Sequence, residues 1–170
     1  MTIIKILQYP DSRLKKKGNV VSEVNAEIRK IVDDMFDTHY HQQNCAALAA
    51  TQLDFDNPPR ITVIDYSTNH DQPLCLINPE IISREGEQYE AEGCMSVPGG
   101  VYERVKRAHK IRVRALDQDG RPIEFDAVGF MAKCIQHELD HLDGKLFIDH
   151  VSQLKRSRIE KKIKDFYRHQ

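Results

Sequence analysis

Val24, Ile28, Ile31, Val32, Met35 and Phe36 recur at the spacing of one helix face. Ser22 or Asn25 can cap its start, so a first helix is predicted over about residues 25–42. A run of small residues follows, Asn44-Cys45-Ala46-Ala47-Leu48-Ala49-Ala50-Thr51-Gln52, and then a polar loop around Asn57-Pro58-Pro59. The β-branched segment 61–66 is short and reads as a strand, as does 74–79. Residues 111–116 alternate apolar and charged side chains, and Asp119-Gly120 marks a tight turn into a partner strand at 123–125. From about residue 127 to 142 the spacing turns helical and apolar on most sides, with Gly144 as the stop, which predicts a buried helix. Residues 152–167 are amphipathic: Leu154, Ile159, Ile163 and Phe166 oppose Lys155, Arg156, Arg158, Lys161, Lys162 and Lys164. This order predicts an α+β fold, with mainly antiparallel sheets packed around a buried central helix, plus a C-terminal helix. No repeat or Ser/Gly linker divides residues 1–170, so one domain is expected.

Composition narrows the function classes. The formal net charge is −1, which gives no general field for DNA. No apolar stretch approaches the roughly 20 residues of a membrane span. The short apolar run at the start lacks a small-residue cleavage pattern, so no signal peptide is expected. A cytoplasmic, reducing setting follows, in which the four cysteines are thiols.

The predicted buried helix contains His137-Glu138-Leu139-Asp140-His141. At about 100° per residue, His141 lies about 40° from His137, so both imidazoles can reach one metal ion. Glu138 falls about 100° round on one flank and Asp140 about 60° round on the other. A carboxylate beside the metal suits a general base, and Asp140 suits an orienting partner or a cation's counter-ion. Three fixed letters recur by chance, but two histidines and a glutamate in an apolar helix are unfavourable unless something satisfies them. A hydrolytic metal needs a third protein ligand and an open position. Some zinc peptidases place a histidine where this chain has Phe147, which cannot bind metal; His150 reads as a surface residue. Cys94, in Glu92-Gly93-Cys94-Met95-Ser96-Val97-Pro98, is the better candidate, although taken alone it reads as a buried thiol.

Three segments together resemble the peptide deformylase family. Glu92-Gly93-Cys94-Met95-Ser96 is similar to its glutamate-glycine-cysteine-apolar-serine segment, and residues 136–141 to its glutamine-histidine-glutamate-x-aspartate-histidine helix. Residues 45–52 are similar to its glycine-apolar-glycine-apolar-alanine-alanine-x-glutamine loop, and order and spacing agree from Gln8-Tyr9-Pro10 to the terminal helix. The resemblance implies a metal-dependent hydrolase that removes the N-formyl group from the N-terminal methionine of new proteins and releases formate. It implies one divalent ion on Cys94, His137 and His141, natively Fe(2+), with Zn(2+) or Ni(2+) as substitutes, and an activated water in the fourth place. Glu138 would carry the proton from water to the leaving amine, while the Gln52 amide and the Met95 backbone N–H face the oxyanion. Arg107 and Glu92 would lie beside the substrate backbone with Ala47, and Ala46, Phe130 and Cys134 would receive the methionine side chain.

The chain departs from the family at Cys45 and Ala47, where the family has glycines, and at Lys133, where it usually has an apolar residue. An intact metal site with a lowered or altered rate is the expectation from these changes. A small metallopeptidase shares the helix motif but lacks a downstream ligand at peptidase spacing, and a binding module without turnover is the reading from another class. The partners implied are an N-formylmethionyl peptide and, through the basic terminal helix, the ribosome; that helix face also reads as an ordinary solvated surface. Cys45, Cys75 and Cys134 read as packing residues, and Gly99-Gly100 as a mobile loop beside the site.

Overall fold

In a computed structural model describing residues 1–170, Asn25 caps the first helix: its side-chain oxygen accepts from the Ile28 N–H at 3.0 Å. Helix α1 spans Ala26–His41 and buries Val32 and Met35 against the sheet. Strands β1 (Ala47–Ala49), β2 (Ile61–Ile64), β3 (Leu74–Glu85), β6 (Lys110–Leu116) and β7 (Pro122–Val128) form one sheet in the order β1-β2-β3-β6-β7, every pair antiparallel. Strands β4 (Gln88–Glu92) and β5 (Glu103–Arg107) form a separate antiparallel pair. Helix α2 (Phe130–Leu142) is the central helix and α3 (Gln153–Arg168) the terminal one. No helix is long and apolar enough to cross a membrane.

The structure departs from the sequence reading at the end of β3, at the start of α2 and at β4 and β5, each for a local reason. Strand β3 continues to Glu85, because two register shifts against β6 and an exposed second half break the alternation after residue 79. Helix α2 starts at Phe130, not 127: Ala127 and Val128 pair with Ile111 and Lys110 as the end of β7, and Gly129, at φ +65°, turns the chain. Strands β4 and β5 carry no apolar period to read. In β5 the inward positions are Val105 and Arg107, so a charge occupies a core register.

Helix α2 buries Ala132, Ile135 and Leu142 completely, a face of the size that stabilises by about 1.5–3 kcal/mol per large side chain. It also buries Gln136, whose amide accepts from the Ala108 N–H at 3.0 Å and donates to the Ala108 and Ala132 carbonyls at 2.9 Å. That clamp fixes α2 against the β5–β6 junction. On the other side, the Thr51 hydroxyl donates to the His141 carbonyl at 2.6 Å, tying the helix end to the turn after β1. Helix α3 closes a further core, with Ile159 and Ile163 on Leu7, Val97 and Val101.

Gly144 follows the end of α2 at φ +78°, and a Cβ there would collide with the Lys15 backbone carbonyl. We therefore expect Gly144→Ala to destabilise the protein by about 2–3 kcal/mol through strain and displaced backbone. A urea midpoint within error of wild type, at unchanged m, would remove this account.

Candidate metal centre

Cys94 stands two residues past the end of β4. A Cβ on Gly93 would run into the Tyr102 ring, so glycine lets that ring cover the turn. The Cys94 sulfur accepts from the Ser96 N–H and from Gln52 Nε2, both at 3.4 Å. Nε2 of His141 lies 3.3 Å from it, and the two Nε2 atoms of His137 and His141 are 3.1 Å apart. Ligand atoms of Cys94, His137 and His141 thus all lie within 4.8 Å of one another. They form the one cluster of three or more histidine, cysteine or acidic residues with that spacing.

The far side of each imidazole differs. His137 Nδ1 is 2.8 Å from Glu92 Oε1. An ionised carboxylate can only accept, so Nδ1 carries a proton and Nε2 is the ring nitrogen turned to the cluster. The His137 ring also stacks on Phe147, with centroids 6.1 Å apart. His141 Nδ1 is buried with no partner. Burial opposes charge on both rings. At His137, hydrogen bonds to Cys94 and Glu92 outweigh it and hold the pKa well above the ordinary value. At His141, burial and the charges of His137 and Arg107 hold it well below. The cluster thus favours positive charge but not two imidazolium ions side by side. One sulfur and two imidazole nitrogens fit a borderline divalent cation such as iron, zinc or nickel.

Glu92 is itself gripped. Arg107 Nε and a terminal nitrogen reach its two carboxylate oxygens at 2.8 and 2.9 Å. The other terminal nitrogen meets Asp140 Oδ2 at 2.6 Å, and His150 Nε2 meets the same oxygen at 2.7 Å. Burial would raise the Glu92 pKa, but Arg107 and His137 overcome it and hold the carboxyl at about 2. Arg107 is therefore buried, bridging Glu92 and Asp140, and is not among the residues that line the cavity. His150, read as a plain surface residue, is half-exposed but anchors Asp140.

In front of the cluster is a cavity of about 480 Å³. Gln52, Met95, Ala46, Ala47, Glu92, Phe130, Cys134 and Glu138 line it together with Cys94 and His137. His141 lies deeper and Arg107 outside. Glu138 has one carboxylate oxygen 3.9 Å from His137 Nε2 and the other buried without a partner. Burial pushes its carboxyl up to about 7, against the pull of His137. Gln52 accepts from the Ala49 N–H at 2.9 Å, which turns its NH₂ toward Ser96 Oγ at 3.1 Å and the Cys94 sulfur. Sequence reasoning missed Ser96 and Tyr102 as supports and did not foresee the contacts of Glu92 with Arg107 and His137. A ligating imidazole hands its other N–H to an acceptor, but spacing alone does not say which carboxylate provides it.

The family glycines prove dispensable for backbone shape. The left-handed residue of that loop is Asn44, at φ +57°; neither Cys45 nor Ala47 has a positive φ. The Cys45 sulfur instead lies 3.4 Å from both His39 Nδ1 and the Ala47 carbonyl, and burial pushes its thiol up to about 12.

The polypeptide deformylase family model matches residues 3–157. The chain is 62% identical over 161 residues to peptide deformylase 1 of Coxiella burnetii, covering 95% of each. A peptide deformylase structure from Legionella pneumophila superposes with a TM-score of 0.90 at 42% identity, covering 98% of this chain and 96% of that one. The Ehrlichia chaffeensis peptide deformylase in complex with actinonin gives 0.88 at 35%, covering 97% and 98%.

Replacing Arg107 leaves Glu92 and Asp140 without their shared cation. We expect Arg107→Met to destabilise by about 3–5 kcal/mol, and Arg107→Lys to recover only part, because lysine lacks the planar fork. Equilibrium urea unfolding reads both; a loss below about 1 kcal/mol would mean the triad is slack.

Proposed function

This chain belongs to the polypeptide deformylase family, and from that premise we propose how its own residues carry the reaction and with which ion. The enzyme is a metal-dependent hydrolase that takes the formyl group from the N-terminal methionine of newly made proteins and releases formate. Residues 1–170 act as one domain, supported by the packing of α3 onto Leu7 and Val97. Cys94, His137 and His141 hold one divalent ion, natively Fe(2+), with Zn(2+) and Ni(2+) able to use the same donors. When bound, the ion supplies Lewis-acid polarisation and a water of lowered pKa. One observation carries this reading: a sulfur and two imidazole nitrogens converge beside a buried, half-partnered glutamate at the base of a cavity.

Glu138 takes the proton of the attacking water and returns it to the leaving amine nitrogen. The Gln52 NH₂ and the Met95 N–H, which donates to no backbone group, face the oxygen on which negative charge develops. Glu92 and Arg107 orient His137. Two strand edges support a peptide as the substrate. β1 ends the large sheet and β4 ends the small one, and Ala46, Ala47, Ala91 and Glu92 bring both edges to the same cavity. An extended backbone can use both. Ala46, Phe130 and Cys134 offer the methionine side chain an apolar wall, with Ala47 beside it.

The setting is the cytoplasm, and the exposed basic face of α3 docks on ribosomal RNA. Arg156 does not belong to that face: it is held by Asp149, Glu160 and the Ile148 carbonyl. Arg158, Lys161, Lys162 and Lys164 are exposed.

Metal analysis of protein purified without oxygen, followed by formate release from formyl-Met-Ala-Ser, tests the whole reading. A chelator should abolish release and ferrous iron restore it. Glu138→Gln should keep the metal and lose about 10²–10⁴-fold in kcat; a loss under tenfold removes Glu138 from its role. For the ribosome, charge reversal at Arg158, Lys161 and Lys164 should cut cosedimentation at least about tenfold and flatten its salt dependence. Unchanged cosedimentation would leave the helix a solvated surface. Removing α3 is the poorer test, because it uncovers Leu7 and Val97.

A further inference from the structure

Residues 5–7 run antiparallel to residues 52–54 and are bonded along one edge only. The Lys5 carbonyl accepts from the Asp54 N–H at 3.0 Å, and the Leu7 N–H donates to the Gln52 carbonyl at 2.7 Å, with Ile6 opposite Leu53. Successive residues of a strand turn their backbone groups to opposite edges, so those of Ile4, Ile6 and Gln8 face the other way. There the Ile4 N–H donates to Thr38 Oγ1 at 2.9 Å. The Ile6 N–H, the Ile6 carbonyl and the Gln8 N–H form no hydrogen bond. This free edge is not on flat surface. It borders a cleft of about 380 Å³, lined also by His41, Gln42 and Met95. Unpaired strand groups in a cleft are a template for an added strand.

The cleft and the cavity at the donor cluster are neighbours along one wall. Met95 lines both. The cavity wall starts at Gln52, beside the Cys94 sulfur, and continues back along the chain through Ala47 and Ala46 to Gln43. The next two residues back, Gln42 and His41, line the cleft. A peptide whose reacting end lies at Gln52, and which follows β1 away from it, is therefore led to the cleft. We propose that the cleft is a second binding site for the substrate polypeptide: residues of the new protein downstream of the formyl-methionine add as a strand to the free edge of Ile6 and Gln8. The site reads backbone N–H and C=O groups, which every polypeptide carries, so it lengthens the grip on the chain without demanding a sequence. This rests on the assignment of the cavity as the formyl-peptide site.

The test is kcat/KM of the metal-loaded enzyme on formyl-Met-Ala-Ser lengthened one residue at a time to about nine, which adds about 20 Å of reach. We expect a rise of about five- to tenfold once the chain reaches Ile6, carried mainly by KM, and then a plateau. In the longest peptide, single N-methyl groups on the backbone from the fourth residue onward should remove the gain at alternate positions and spare those between, since a strand turns every second N–H to its partner. Gln42→Trp, which fills the cleft, should bring the ratio of long to short peptide close to one. That ratio is internal to one preparation, so a partly inactive variant still reports it. The N-methyl series uses wild type and decides alone where Gln42→Trp does not fold. A wild-type ratio near one, a gain that survives Gln42→Trp, or an N-methyl series without alternation each overturn the proposal. Failure of wild type on formyl-Met-Ala-Ser itself would instead overturn the site assignment and this proposal with it.

Discussion

The Glu92 carboxylate stands between the Arg107 guanidinium and the His137 imidazole, and the site depends on that contact. Both of its oxygens are taken by Arg107, and one also accepts from His137 Nδ1. The consequence is a tautomer. With a proton fixed on Nδ1, Nε2 is the nitrogen turned to His141 and Cys94, and in the neutral ring its lone pair faces them. Buried ion pairs contribute little net stability compared with apolar packing, so stability is a weak reason for burying this one. Orientation is the stronger reason: the triad joins β4, β5 and α2 at the point where a rotated ring would lose a ligand.

How much of this was legible follows the periodicity of each segment. Helix α1 was readable to within a residue of each end, because its apolar stripe and its Asn25 cap agree. The motif on α2 was readable because its spacing alone brings the histidines to one face. The start of α2 was not, since Ala127 and Val128 suit a helix and a strand equally and only the pairing with β6 decides. Strands β4 and β5 were invisible for a related reason. Their inward positions hold Glu92 and Arg107, which satisfy each other across the pair instead of entering an apolar core. The site was legible as a set of residue types and not as a network. Nothing local to Arg107 says that its partner is fifteen positions upstream, and only the fold shows it gripping Glu92 and Asp140 beside the donor cluster.

The loop before β1 illustrates how a departure from the family is absorbed. A glycine position often signals a left-handed backbone, and substitution there would strain the chain. Here the left-handed residue is Asn44, a type that tolerates that region, and the thiol next to it finds His39. His39 in turn lies 2.9 Å from the Asp65 carbonyl through Nε2, so a carbonyl fixes that proton and frees Nδ1 to accept from sulfur. The side chain that replaces glycine thereby acquires an anchor that glycine cannot have. The loop remains beside Gln52, and the altered residues form part of the cavity wall without distorting the donor cluster.

Helix α2 carries five polar side chains within the six positions 136–141, and their partners come from almost every surrounding element. Gln136 holds the β5–β6 junction, His137 meets β4, Asp140 meets β5 and His150, and the His141 carbonyl meets Thr51. Against that full account, two buried atoms remain without a partner: Glu138 Oε1 and His141 Nδ1. An unsatisfied buried polar group costs about 1–3 kcal/mol, and folds rarely tolerate two on one helix without a reason. His141 is one of the three donors, and Glu138 stands beside them and faces the cavity. His141 Nδ1 faces away from the other two donors, so an ion at Nε2 would leave it unpaired; Glu138 Oε1 is the open atom of a residue that lines the cavity, on a helix whose other polar side chains there have partners.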